Sequence, residues 1–372
     1  MMKLVLKWTT VLTLAVCMVL PIYAGGEKQA APTGLKIGIV TTSGVDDGSF
    51  GQDCYNGILE FIKANPEATV TPIKEPDMAK VVQAVADIIA DYDVVVLPGF
   101  QFAPVGAILQ ENPDRKVILV DAALTDASGK PIELDNVYSM QFHEEESGFF
   151  AGITAALETK TGKVAVVNGM AFPSNVNYQY GFMSGVNYAN KYYGTKAAYV
   201  ELPSYAGTDV SGKAVGGNYI GGFGDAATGK VVGAALIDQG VDVLFVAAGG
   251  SGAGVFTAAK EADNVSLIGV DTDQYDDGKK GNGNIILTSA LKVMHTNVAR
   301  QLQAVKNGTF KGKNDLLGAS TDSTGFVSAQ GRHNLSANTL SKLRDAYGKL
   351  RAGSIVPASS SNGHTPANFP GL

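Results

Sequence analysis

The chain has 372 residues, 45% hydrophobic and 17% charged, which is ample for a packed core and long enough for two domains of ordinary size. Its formal charge is −6 and no basic tract occurs, which argues against nucleic acid as a partner. Two cysteines in such a length rule out a disulfide framework.

The N-terminus reads "MMKLVLKWTTVLTLAVCMVLPIYAGG": Lys3 and Lys7, an uncharged apolar stretch, then small residues. This pattern predicts a secretory signal peptide over 1–24, because the apolar stretch is short for a membrane-spanning helix. The expected address is the periplasm or cell envelope. An uncleaved anchor is the rival reading, and Cys17 in "LAVC" loosely fits a lipobox, so a lipid anchor stays open. Cleavage after Ala24 leaves Cys54 as the one cysteine, with no internal disulfide. Residues 25–34, "GGEKQAAPTG", read as a tether.

"LKIGIVT" then predicts a strand at Leu35–Thr41, and the turn "SGVDDGSF" opens a helix running through Leu59. Strands at Val94–Gly99 and Lys116–Ala122 alternate with helical patterns, and a second series of the same kind begins at "KVAVVNG". The strands are Val- and Ile-rich and almost continuously apolar, as in parallel sheets covered by helices on both faces. Two β/α series result, over about 35–142 and 163–270, without a sequence repeat. A further strand and helix, "NIILTSALKVMHTNVARQLQAVKNG", is followed by a strand in "TGFVSAQG" and a last helix. Residues 358–372, "ASSSNGHTPANFPGL", read as a flexible tail.

Open parallel sheets bind ligands at the carboxyl ends of their strands. The residues that follow each strand are therefore the informative ones, among them Thr41–Phe50, Gly99–Gln101, Asp121, Ala247–Gly252, Asp271 and Lys292. None of the four histidines has metal-ligand spacing, and G-x-S-x-G is absent. "GGSGAGV" lacks the lysine of a phosphate-binding loop. The chain is thus expected to be a non-enzyme without metal or cofactor. Asp47 and Ser49 precede a helix and suit capping as well as ligand contact. Phe50, at a strand end, suits a stacking surface. Asp271 is placed to accept two hydrogen bonds from a diol, and Lys292 to meet Asp271 and the same ligand.

"GVDDGSF", "EEESGFFAG", "KVAVVNGM", "GVDVLFVAAGGSGAGVFTAAKE", "IGVDTDQ", "ILTSALK" and "AGSIVP" occur in one order across nearly all of 35–357. In these pieces the chain resembles the basic membrane protein family of ABC-transporter substrate-binding proteins, and is similar to the spirochaetal purine nucleoside receptor. The resemblance implies an α/β, two-lobed type I periplasmic-binding-protein fold, each lobe a mostly parallel sheet flanked by helices, with three crossovers. It puts 35–142 plus 274–320 in lobe 1, with "NIILTSALK" completing that lobe, and 143–273 plus 321–357 in lobe 2. Phe50 and Phe245 would sandwich a planar base, Gly250, Asp271 and Lys292 would hold the sugar hydroxyls, and Asp46 and Asp47 would order the first loop. With Thr42 and Gln101 these form the expected ligand-binding set: Asp47, Thr42, Phe50, Gln101, Phe245, Gly250, Asp271 and Lys292.

Two departures from the family pattern bear on the ligand. "VTTSG" is one residue short and offers Thr41 or Thr42 where the family has an Asp, and Gly51 stands where it favours Asn. The expected function is an exported solute-binding protein, monomeric, that delivers a nucleoside-like ligand, purine favoured, to a membrane permease with its ATPase subunits. Riboflavin is the alternative ligand. A secreted nucleoside hydrolase using Asp46, Asp47 and Asp271 is the alternative of another class. A ligand-responsive regulator on this fold would need a DNA-binding segment where the signal peptide stands.

Overall fold

The computed structural model describes residues 34–372. The expected signal peptide, and the tether up to residue 33, lie outside the described residues.

The first series runs β1 (Lys36–Thr41), α1 (Phe50–Ala64), β2 (Thr69–Lys74), α2 (Val81–Ile88), β3 (Val94–Pro98), α3 (Gly106–Glu111), β4 (Lys116–Val120), β5 (Val137–Phe142). The second runs α4 (Glu144–Glu158), β6 (Lys163–Asn168), α5 (Pro173–Tyr193), β7 (Ala198–Tyr199), a hairpin of β8 (Gly207–Thr208) and β9 (Ala214–Gly216), α6 (Ala226–Asp238) and β10 (Val243–Ala247). It continues with α7 (Gly252–Glu261), β11 (Ser266–Asp271), a hairpin of β12 (Lys279–Lys280) and β13 (Gly283–Asn284), and β14 (Ile286–Lys292). The chain closes with α8 (Met294–Lys306), β15 (Lys313–Leu317), β16 (Thr324–Phe326) and α9 (Ala337–Arg351).

Two six-stranded sheets carry the two lobes, in the orders β15-β5-β4-β3-β1-β2 and β16-β14-β11-β10-β6-β7. Every pairing in the first is parallel, and in the second only β14 with β16 is antiparallel. The apolar runs explain this: all five residues of β3 and all five of β10 are buried, because helices cover both faces of each sheet. The chain crosses between lobes three times, at 142–144, 292–294 and 317–324.

The sheet orders correspond strand for strand, with β1, β3, β4 and β5 matching β6, β10, β11 and β14. Helices follow the same plan. The strand β5 hands over to α4, which packs on α5 in the second lobe, and β14 hands over to α8, which packs on α1 in the first. Close approach needs small residues: a Cβ on Gly181 would stand 2.1 Å from the Glu145 carbonyl oxygen, and one on Gly57 2.4 Å from that of His295.

Three expectations change. "NIILTSALK" does not complete the first lobe; β14 pairs with β11 and β16 in the second sheet. The first lobe is completed by β15, "KNDLL", which pairs with β5 and was not predicted as a strand. It is an edge strand with one buried residue, so it lacks the apolar run that marks central strands. The tail is not loose either. Phe369 is 4% exposed and meets the Phe149 ring edge-on, with 6.1 Å between centroids, and Val356 N–H donates to the Pro370 carbonyl.

Candidate functional site

The carboxyl ends of both sheets face one another across a cavity enclosing about 660 Å³ of empty space, its open mouth included. Thr41, Thr42, Asp47, Phe50, Gln101, Asp121, Phe172, Asn175, Tyr178, Asp271 and Lys292 are among its walls. Six of the eight sequence-predicted site residues thus come together there.

The charged end is built around Lys292, the last residue of β14. Its Nζ lies 2.5 Å from Asp121 Oδ2, 3.6 Å from Asp271 Oδ1 and 3.9 Å from Glu144 Oε1. These four side chains come from β4 and its following turn, β11, the start of α4 and β14, so the cluster spans both lobes and the first crossover. All are nearly inaccessible to water. Burial opposes the ammonium charge, but Asp121, Asp271 and Glu144 outweigh it, and the Lys292 pKa is raised above the ordinary lysine value. One cation facing three carboxylates cannot balance them. Burial, with the charge of Asp121, therefore pushes Glu144 well above the usual carboxylate range, and burial also raises Asp271.

Asp121 and Asp271 hold matched positions in the two sheets, and both have left-handed backbones, with φ of 63° and 66°. Few residues other than Gly tolerate this conformation, Asp and Asn among them. Their surroundings differ. Asp271 accepts from Ser49 Oγ at 3.0 Å and Tyr178 OH at 2.9 Å, so both its oxygens are engaged. Asp121 has one oxygen on Lys292, while the other, Oδ1, is buried without a hydrogen-bond partner among the described residues.

The aromatic wall begins at Phe50, whose ring lies 4.8 Å beneath the Lys292 ammonium. Asp47 positions it. One oxygen of this carboxylate accepts from Ser49 N–H and Gln52 N–H, each at 3.0 Å, and the other from Ser43 Oγ at 2.5 Å and Gly51 N–H at 2.9 Å. Asp47 therefore ties the loop to the first turn of α1, and its acceptors are consumed by the protein itself. Asp46 lines a neighbouring groove instead, with Lys260 and Asp276. Gly51 is bare for a local reason: a Cβ there would stand 2.1 Å from the Gly44 carbonyl oxygen. The short turn and the glycine are one feature, since the turn's own backbone fills the space beside position 51.

Phe245 is not in the cavity. It is fully buried in the middle of β10, stacked on Phe182 at 6.0 Å and set edge-on to Tyr178 at 5.5 Å. A mid-strand side chain points into a sheet face and cannot reach the strand end. Gly250 is likewise replaced by Gly249 in the wall. The second aromatic surface comes from Phe172, Phe223 and Tyr178, with Phe100 of the first lobe 5.4 Å from Phe172 across the cleft. Phe223 sits in a Gly-rich loop and Tyr178 one turn into a helix of ordinary pattern, so neither carried a sequence signal. Glu144 was hidden in a run of three acids that reads as a favourable helix start.

The family described as Bmp, ABC transporter substrate-binding protein PnrA-like, matches residues 35–208 and 213–359. The chain belongs to the Bmp family. It is similar to the ABC transporter nucleoside-binding protein BmpA of Lactococcus lactis, 30% identical over 315 residues covering 78% of this chain and 80% of that one. It is also 29% identical over 340 residues to a CD4+ T-cell-stimulating antigen of Listeria monocytogenes, covering 85% and 86%. Among solved structures, an ABC transporter solute-binding protein from Aeropyrum pernix superposes with a TM-score of 0.73 at 23% identity, over 88% of this chain and 94% of its own. That likeness bears out the two-lobed type I binding-protein fold. This Bmp-family chain is accordingly an ABC transporter substrate-binding protein, of a class that takes a small molecule and works with a permease. Among the described residues no helix is long and apolar enough to cross a membrane.

Proposed function

We propose that the cleft binds a nucleoside, with purine bases favoured, and holds it without turnover for delivery to a permease and its ATPase subunits. The observation that carries this reading is Asp121 Oδ1, a buried acceptor without a donor among the described residues, beside the Lys292 ammonium and at the end of an aromatic slot. A ligand hydroxyl would satisfy it, and a neighbouring hydroxyl would accept from Lys292. The adjoining Phe50 ring suits a planar ring joined to those hydroxyls. The likeness to the nucleoside-binding protein BmpA of Lactococcus lactis supports the same ligand class. Export of the chain, by signal peptide or lipid anchor, and a monomeric state complete the reading, with hinge closure of the lobes over the ligand.

The test is calorimetry on the mature chain, Gly25 onward, with inosine, guanosine, adenosine and riboflavin, after a check for co-purified ligand. Binding of purine nucleosides without release of free base is expected. A yellow preparation that takes riboflavin alone would replace the nucleoside, and turnover of inosine would reinstate the hydrolase.

A further inference from the structure

The two ends of the cavity are unlike, and the far end has its own chemistry. In the first sheet β1 stands two strands from β4, and in the second β6 stands two strands from β11. Two strand spacings put the ends of β1 and β6 about 10 Å from the Asp121–Lys292–Asp271 cluster. Their last residues are Thr41 and Asn168.

Thr41 is 3% exposed and lines the cavity, yet its Oγ1 has no hydrogen-bond partner among the described residues. A buried hydroxyl left in this state is costly unless something else completes it. Asn175, opposite, also lines the cavity. Its Nδ2 donates to the Ala247 carbonyl at 2.8 Å and to Asn168 Oδ1 at 3.2 Å. The Ala247 carbonyl can only accept, so the amide orientation is fixed, and Oδ1 is the group Asn175 offers to the cavity. Thr42, Ser43, Gln101 and Ser174 add only neutral groups to the wall. The one carboxylate at this end, Asp47, has both oxygens engaged by its own loop.

We propose that Thr41 and Asn175 form an uncharged clamp on the edge of the ligand's planar ring. The inference rests on the nucleoside reading and deepens it by naming what the site asks of the base. Asn175 Oδ1 requires one N–H donor on the edge of the base, whether a ring N–H or an exocyclic amino group. Thr41 donates or accepts, so the group beside that donor can be a carbonyl, a ring nitrogen or an amino group. A carboxylate in this place would accept from two donors and repel a ring acceptor. The clamp therefore admits both oxo and amino bases and rejects an edge with no N–H.

The experiment uses titration calorimetry and thermal melts on the wild-type chain and Thr41→Val. Inosine, guanosine and adenosine are expected to bind the wild type with affinities within about tenfold of one another, since one neutral hydrogen bond differs among them. Thr41→Val, which keeps the shape, is expected to bind each about tenfold more weakly. Its ligand-free melting temperature should not fall, because the hydroxyl it loses has no hydrogen-bond partner among the described residues. N1-methylinosine, stripped of its edge N–H, should bind the wild type far more weakly than inosine. Equal binding of inosine by wild type and Thr41→Val, or of inosine and N1-methylinosine by wild type, overturns the clamp while leaving the nucleoside reading intact. A wild type that binds none of the nucleosides overturns the reading itself, and the clamp with it.

Discussion

The first two crossovers of the molecule follow one backbone path and carry different side chains. In one, β5 ends at Phe142 and passes through His143, with φ −81° and ψ 68°, into α4. In the other, β14 ends at Lys292 and passes through Val293, with φ −81° and ψ 76°, into α8. Phe142 is part of the first lobe's core, whereas Lys292 reaches into the cleft and stands 5.9 Å from the Phe142 ring. A repeated fold supplies two equivalent positions, and only one of them is charged. Two lysines there would repel each other in a buried site, and two phenylalanines would leave Asp121, Asp271 and Glu144 without a cation. The difference gives a nearly symmetric cleft a single end built on a charged cluster, and so one orientation for an elongated ligand.

The comparison breaks most completely at Lys292. Lys292→Met makes the two crossovers alike and strands three buried carboxylates, so stability should fall by about 3–5 kcal/mol at neutral pH, with loss of ligand binding. Denaturant melts check this, and a variant as stable as wild type that still binds ligand would remove the cluster from both roles. Phe50→Ala takes away the ring beneath the ammonium and should weaken binding by about 1–3 kcal/mol, the scale of base–aromatic stacking. Unchanged affinity in calorimetry would take Phe50 out of the site.

The matched aspartates sharpen the comparison further. Asp121→Asn should weaken binding of the nucleoside more than that of its 2′,3′-dideoxy analogue, because its spare oxygen waits for a ligand hydroxyl. Asp271→Asn should lower the ligand-free melting temperature more than Asp121→Asn does, because it disturbs the bond to Ser49 across the cleft and the bond to Tyr178 within the second lobe. Equal effects of the two variants on both readouts would make the asymmetry meaningless.

The smallest effect belongs to the two histidines near the crossovers. His143 is hydrogen-bonded to Glu145 at 2.8 Å and His295 to Asp53 at 3.0 Å, and these bonds, outweighing burial, raise both ring pKa values. A raised folded-state value stabilises the fold fully below the ordinary histidine pKa of about 6.5 and loses that contribution as pH rises through the folded value. Both rings are more than a third exposed, which keeps the contribution small. The double variant His143→Gln, His295→Gln should show a flatter melting profile between pH 6 and 9 than wild type. Parallel profiles would show that the pairs carry no linkage.

Much of this was legible in the sequence. Central strands announce themselves because they are buried on both faces, as "VVVLP" and "KVILV" are. Strand ends follow from them, and so do Phe50, Asp271 and Lys292 as cavity residues. The edge strand β15 escaped because its burial is slight, and the tail because its polar composition conceals one anchoring residue, Phe369. Phe245 misled because the family resemblance alone proposed it, whereas its mid-strand position turns the ring into a sheet face.

By itself, then, the sequence determined the α/β architecture, its two series and the edge of the sheets where a ligand would lie, since apolar periodicity and turn chemistry are local properties of the chain. Tertiary structure alone decided which lobe receives β14 and β15, that Asp121, Asp271 and Glu144 converge on Lys292, and that Asp47 spends its carboxylate on its own loop while the Thr41 hydroxyl finds no partner among the described residues. Those facts depend on groups far apart in the chain, 171 residues for Asp121 and Lys292, meeting in a water-poor space. There the presence or absence of one hydrogen-bond partner decides what each polar atom does.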